Sequence, residues 1–174
     1  GLVGSEMCIR DRFESVPAGL FANNPEVDSF RMLFSGTSLK SVPDGLFANN
    51  HKVANFQSAF SKTAIQSVPA DLFAGCGKVT TFMSCFTGCS ELQSVPAELF
   101  KRSGAFTTVT KTAFNNIFKD CTSLTEVPAG LFDGFTLVTA FNDAFNGCAS
   151  LTTLPAVLFA TNTAVTSFTN VFKG

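Results

Sequence analysis

The chain has 174 residues, enough for one ordinary domain, and 45% of them are apolar, enough for a sizeable core. Charged residues make up only 14% and the net charge is −1, so no charged surface argues for nucleic acid or an anionic membrane as partner. No apolar run of about 18 residues is present to span a bilayer, and all 21 aromatic residues are Phe, the aromatic that suits a dry core better than a wet contact surface.

In chain order, residues 1–12 stand apart. They contain none of the motif that fills the rest of the chain, yet they carry Glu6, Arg10, Asp11 and Arg12. Val3–Arg12 resemble, without a mismatch, the in-frame translation of a transposase adapter used to build sequencing libraries. Residues 1–12 are therefore read as a non-native segment, and Cys8 as a non-native cysteine. The apolar part is too short, and too closely followed by charge, to be the core of a signal peptide.

From Phe13 to Gly174 the chain is a repeat, marked by Pro17, Pro43, Pro69, Pro96, Pro128 and Pro155 at spacings of 26, 26, 27, 32 and 27. Each of these prolines follows Val or Leu and precedes a Phe by four residues: Phe21, Phe47, Phe73, Phe100, Phe132 and Phe159. A pair four apart comes next in every unit, beginning with Phe30/Phe34 and ending with Phe168/Phe172. These three slots absorb 18 of the 21 Phe, which makes accidental repetition within one globular domain improbable.

The physics of one unit predicts a short strand and short helices. In "SLKSVP" an apolar–x–x–apolar segment ends at Pro, whose predecessor is pushed toward extended geometry. Pro then serves as the first residue of a helical turn, "PAxLF". "VTTFMSCF" places apolar residues at helical spacing, although its opening Val-Thr fits a second short strand equally well. No unit buries its own Phe, whereas stacked units form a continuous core. The expected fold is thus α/β: a solenoid of about six 26–32-residue units over 13–174, with strands alternating with helices and both ends cut within the solenoid. Neither end carries a polar cap, so Phe-rich ends are expected to associate.

Three features are candidates for function. The first is the row of polar positions between the apolar residues of the "SLKSVP" segments: Lys40, Gln66, Gln93, Thr125, Glu126 and Thr152, with neighbouring serines and threonines. It is small, polar and nearly uncharged, which suits a broad protein or glycan contact better than a deep pocket. A solvated face with no ligand has the same composition. The second is the long insertion "KRSGAFTTVTK", with Lys101, Arg102 and Lys111; insertions into one repeat often form loops on a binding face, or are simply tolerated at the surface. The third is the cysteine set. Cys89, Cys121 and Cys148 share one slot, held by Thr37 and Thr63 in earlier units, and Cys76 and Cys85 lie elsewhere. A ladder of buried thiols is the favoured reading. A disulfide between stacked neighbours is sterically allowed, and zinc is disfavoured because the sole His, His51, lies about one unit away.

No catalytic constellation emerges. His51 sits in the turn-like "ANNHKV" with no nucleophile beside it. Asp71, Glu98 and Glu126 fall at variable, solvent-facing positions. No Gly-rich phosphate loop or other cofactor motif is present, so neither enzyme activity nor a cofactor is expected.

At "FTGCSELQSVP", "FKDCTSLTEVP" and "FNGCASLTTLP" the pattern F-x-x-C-x-x-L-x-x-[VL]-P, followed by V-T-x-F-x-x-A-F, resembles the BspA-like leucine-rich repeats and the related repeats of mycoplasma-type surface lipoproteins. The resemblance covers essentially all of 13–174. It departs from the pattern in using Phe where aliphatic or Met residues are common, and in a longer unit. The resemblance implies an extracellular or cell-surface adhesion module that binds a protein or glycan, flanked by further repeats of its own chain. Two other roles remain open: a structural spacer, and a targeting appendage of a larger secreted protein, which could be an enzyme.

Overall fold

A computed structural model describes residues 12–101 and 109–174. Within them the chain winds through stacked coils over 13–36, 39–62, 65–88, 92–101 with 109–120, 124–147 and 151–174. Each coil runs through an L-x-x-V-P segment, a P-x-x-L-F turn and a V-x-x-F-x-x-x-F segment.

The expected helices do not form; no described residue is helical. After the prolines the chain makes successive three-residue-back turns at alternate positions, as where the N–H groups of Leu20, Ala22 and Asn24 donate to the carbonyls of Pro17, Gly19 and Phe21. The F-x-x-x-F segment is a run of overlapping turns. Leu33, Ser35 and Thr37 donate to the carbonyls of Phe30, Met32 and Phe34, three residues back. What prevents a helix is a left-handed residue at every fourth position. Met32, Ser58, Ser84, Asn116, Asp143 and Asn170 have φ of 53–57°, and Gly36, Lys62, Gly88, Asp120 and Gly147 have φ of 58–78°. An α-helix admits no such residue, and each one turns the alternate N–H groups outward.

Those N–H groups bind the next coil. Phe30, Met32, Phe34 and Gly36 donate to the carbonyls of Asn55, Gln57, Ala59 and Ser61 at 2.8–2.9 Å. The same four slots repeat at the next junction, with Phe56, Ser58, Phe60 and Lys62 donating to Thr81, Met83, Cys85 and Thr87. Parallel bridges are confined to the start of these segments, at Ser29–Asn55, Asn55–Thr81 and Ala140–Ser167. The extended pairing thus falls where the sequence also allowed it, at the V-x-x-F segment. The L-x-x-V-P segments make only single bonds between neighbours, such as Lys40 N–H to Glu14 O and Gln93 N–H to Gln66 O.

The core is three columns of Phe. The second ring of each pair stacks from Phe34 through Phe60, Phe86, Phe118 and Phe145 to Phe172 at 5.5–5.7 Å. The post-proline rings stack from Phe21 to Phe159 at 5.8–6.4 Å. The first ring of each pair interdigitates: Phe30 lies 4.8 Å from Phe21 in its own coil and 4.8 Å from Phe47 in the next. Phe73, Phe82 and Phe86 are fully buried. Each such ring contributes about 1.5–3 kcal/mol from burial alone, so the columns dominate stability, as stacking of otherwise incomplete units requires.

Candidate interaction surface

The L-x-x-V-P segment alternates inward and outward because Leu and Val enter the core while the residues between them face water. Leu39, Ile65, Leu92 and Leu124 are fully buried. Lys40, Gln66, Gln93, Thr125, Glu126 and Thr152 are all exposed; all but Glu126, which follows Thr125, occupy equivalent places in successive coils. The structure therefore brings the sequence-derived row onto one face. Its first rung is an ion pair, with Lys40 Nζ 2.8 Å from Glu14 Oε1; that hydrogen bond and the glutamate's charge raise the lysine pKa. Further along, Gln66 Nε2 donates to Glu91 at 3.3 Å and Thr125 Oγ1 to the Gln93 carbonyl at 3.3 Å. The side chains of Gln93, Ser94, Glu126 and Thr152 meet no hydrogen-bonding partner among the described residues.

The opposite rim, made by the F-x-x-x-F segments, uses its polar groups internally. Asn115 Oδ1 accepts the Asn142 N–H at 3.0 Å, and Asn142 Oδ1 accepts the Thr169 N–H at 3.0 Å and the Ser167 hydroxyl at 2.6 Å. Thr81 Oγ1 likewise accepts the Met83 N–H at 3.1 Å. The bonds of Asn115 and Asn142 tie neighbouring coils of this rim together.

Of the insertion, Arg102 lies outside the described residues. Lys101 is exposed and pairs with Glu98 at 3.4 Å. Lys111 is exposed, and its carbonyl accepts N–H groups from Thr139 and Ala140, which ties that end of the insertion to the coil ladder.

Cys76, Cys85, Cys89, Cys121 and Cys148 are all buried. The slot shared with threonine explains three of them. Cys89, Cys121 and Cys148 donate their thiols to the carbonyls of Phe60, Phe86 and Phe118 in the preceding coil at 3.0–3.1 Å. Thr63 donates its hydroxyl to that same Phe60 carbonyl from within its own coil at 2.9 Å. Burial pushes the Cys89 thiol up to about 11 and the Cys148 thiol to about 12, and raises Cys85 and Cys121 well above the ordinary range. Such thiols are poor nucleophiles. Among the described residues no cluster of His, Cys, Asp and Glu is arranged to hold a metal ion. His51 is exposed and its Nδ1 lies 2.9 Å from Gly75 O.

One structural set escaped the sequence reading. Asn50 and Asn162 are buried three residues after the post-proline Phe. Asn50 donates through Nδ2 to Phe21 O at 3.2 Å and Asn24 O at 2.9 Å, and Asn162 to Phe132 O at 2.9 Å and Phe135 O at 3.2 Å. The signal was available: Cys76 occupies the same slot after Phe73, and its thiol points to Phe47 O.

No protein-family model matches the chain, and no curated protein matches it. Among solved structures it is similar to a chain of the Toll–Spatzle complex of Drosophila, with a TM-score of 0.64 and 23% identity over 90% of its residues. The fold is that of a leucine-rich-repeat solenoid. The chain spans 18% of that neighbour's length. Weaker likenesses are to the leucine-rich repeat domain of the type III effector XopL, at 13% identity, TM-score 0.46, and 90% and 64% of the two chains. Another is to a leucine-rich repeat protein from Eubacterium ventriosum, at 18% identity, TM-score 0.41, and 92% and 42%. At these identities the likeness is one of fold. Among the described residues of this solenoid, no helix is long and apolar enough to cross a membrane.

Proposed function

We propose that the solenoid is a non-catalytic protein-interaction module of BspA-like type, which presents the row Lys40, Gln66, Gln93, Thr125, Glu126 and Thr152 to a protein or glycan at a cell surface. One observation carries this reading. The row's side chains are exposed, and those of Gln93, Glu126 and Thr152 meet no hydrogen-bonding partner among the described residues, whereas on the F-x-x-x-F rim Asn115, Asn142 and Ser167 bond to neighbouring coils. A flat array of hydroxyls and amides on a rigid backbone fits an extended ligand through many weak contacts. The net charge of −1 favours such a ligand over a polyanion. Lys101, Arg102 and Lys111 would add a basic margin. A spacer role is the second reading, favoured by the small size and near-neutrality of the same row.

The test is retention on a glycan array and on a panel of extracellular proteins, for the parent chain and for Gln66→Glu/Gln93→Glu/Thr152→Glu. The adhesion reading expects retention by the parent and its loss in the variant, with circular dichroism unchanged. Retention by neither would leave the spacer reading, and equal retention by both would show binding that does not use this row.

A further inference from the structure

Asn146–Gly147 is the one Asn–Gly pair in the sequence. The equivalent slot holds Ser35, Ser61, Thr87, Lys119 and Lys173 in the other coils. Such a pair is chemically labile. The glycine nitrogen can attack the Asn side-chain carbonyl, and a residue with no Cβ puts nothing in the way. A new N–Cγ bond closes a five-membered imide. The side-chain nitrogen leaves as ammonia and takes the proton of the Gly N–H. Water then opens either imide carbonyl. One opening gives Asp. The other gives isoaspartate, in which the main chain runs through Cβ and Cγ and is one carbon longer.

The fold engages every reacting group of this pair. The Gly147 N–H, the source of the nucleophile, donates to Lys173 O in the following coil at 2.8 Å. Asn146 Nδ2, the leaving group, donates to Asp143 Oδ1 in its own coil at 2.6 Å. The Asn146 carbonyl accepts the Asp120 N–H of the preceding coil at 2.7 Å. The pair is thus tied to both neighbouring coils, and both of its residues are half-buried.

We propose that Asn146 is a deamidation site gated by these coil junctions: seated coils keep it an amide, and opening of the bond to Lys173 releases the imide-forming step. The product then opposes closure. A carboxylate at position 146 replaces a donor with an acceptor, so two carboxylates face each other where Asp143 had a charge-assisted hydrogen bond. Asp120 crowds the same place, since a Cβ on Gly147 would run into its Oδ1. Isoaspartate further lengthens the main chain at the point where Asp120 and Lys173 bond it, which upsets the register of both junctions. The modification therefore runs one way: an opening that leads to it is not followed by full closure.

The test is peptide mass spectrometry of the 174-residue chain held at neutral pH, folded and in urea, with isoaspartate separated from Asp by chromatography. Residue 146 should deamidate in urea and about tenfold or more slowly in the fold, because only the open fraction reacts. Asn146→Asp stands in for one product, and Asn146→Ser, the residue type at Ser35 and Ser61, removes the amide without adding charge. Amide exchange at Asp120 and Gly147 should be about tenfold faster in Asn146→Asp than in Asn146→Ser. Survival of Asn146 in urea, or equal deamidation folded and unfolded, would overturn the gated site. Matching exchange in the two variants would overturn the claim that the product holds the junctions open.

Discussion

The thiol of Cys89 donates to the carbonyl of Phe60 in the preceding coil at 3.0 Å, and the same sulfur lies 3.4 Å from Thr63 Oγ1. The slot thus serves as a buried donor rung whether it holds Thr or Cys. In the fold the thiol titrates at about 11 because burial disfavours the thiolate; unfolded, it returns to its ordinary range near 8.5. A raised folded pKa contributes stability that is fully present below the unfolded value and is lost as pH rises through the folded one. Stability should therefore fall between about pH 8.5 and 11 by up to about 1.4 kcal/mol per pH unit for each such thiol. Urea titrations at pH 7, 9 and 10 check this, and Cys89→Thr should flatten the slope.

The same burial predicts slow chemistry. Native protein at pH 8 should react with a thiol reagent at none of the five buried cysteines on the timescale of a free thiol, and at all five once denatured. Mass spectrometry after brief alkylation, with and without urea, reads the count directly.

Phe86 sits mid-column and fully buried, whereas Phe172 is 42% exposed at the end of the same column. Phe86→Ala should cost about 3–5 kcal/mol. Phe172→Ala should cost about 1 kcal/mol or less, because a half-exposed ring gives up less buried area. Denaturant midpoints for the two variants measure the difference.

Asn50 tests the asparagine rung. Asn50→Ala removes two donors from the carbonyls of Phe21 and Asn24 and should cost about 1–3 kcal/mol. Asn50→Asp preserves shape but replaces the donor with a carboxylate, which can only accept when ionised. It should be the more harmful at pH 7 and recover in part at acidic pH, where a protonated carboxyl donates again. Thermal unfolding at pH 7 and pH 4 separates the two variants.

Gly75 and Gly36 test two different reasons for glycine. A Cβ at Gly75 would lie 2.6 Å from Ala48 O, a backbone atom of the preceding coil, so Gly75→Ala must push the coils apart. At Gly36 a Cβ meets nothing within 4 Å, and only the left-handed φ of 72° opposes it, a penalty of about 1–2 kcal/mol. Gly75→Ala should show the larger drop in melting temperature.

The repeat, its register and its core were legible in the sequence because Phe is rare enough, and proline regular enough, to mark equivalent slots. Phe30/Phe34 and its counterparts were misread as helical because residues four apart share a face in a helix and also in a run of turns with a four-residue period. The discriminating signal lay between and after the rings. Gly36, Gly88 and Gly147, with Asn116, Asp120, Asp143 and Asn170, are the residue types that tolerate left-handed backbone. Met32 and Lys62 occupy the same slots without that tolerance and masked the pattern. The outward row at Lys40, Gln66 and Gln93 was readable because Leu and Val flank it at fixed spacing. That the opposite rim spends its polar groups internally was not readable, since Asn142 and Thr169 meet only through the stacking of coils.

The central claim is that the interaction row rides on coils joined by alternate N–H groups, not on strands linked by helices. Residue-resolved amide exchange on the monomer tests it most directly. The account predicts strong protection at Ser58, Phe60 and Lys62, and at Ser84, Phe86 and Gly88, with fast exchange in the 174-residue chain at Phe168, Asn170 and Phe172, whose N–H groups meet no acceptor among the described residues. Fast exchange at the interior positions, or uniform protection along each F-x-x-x-F segment as in a helix, would contradict it.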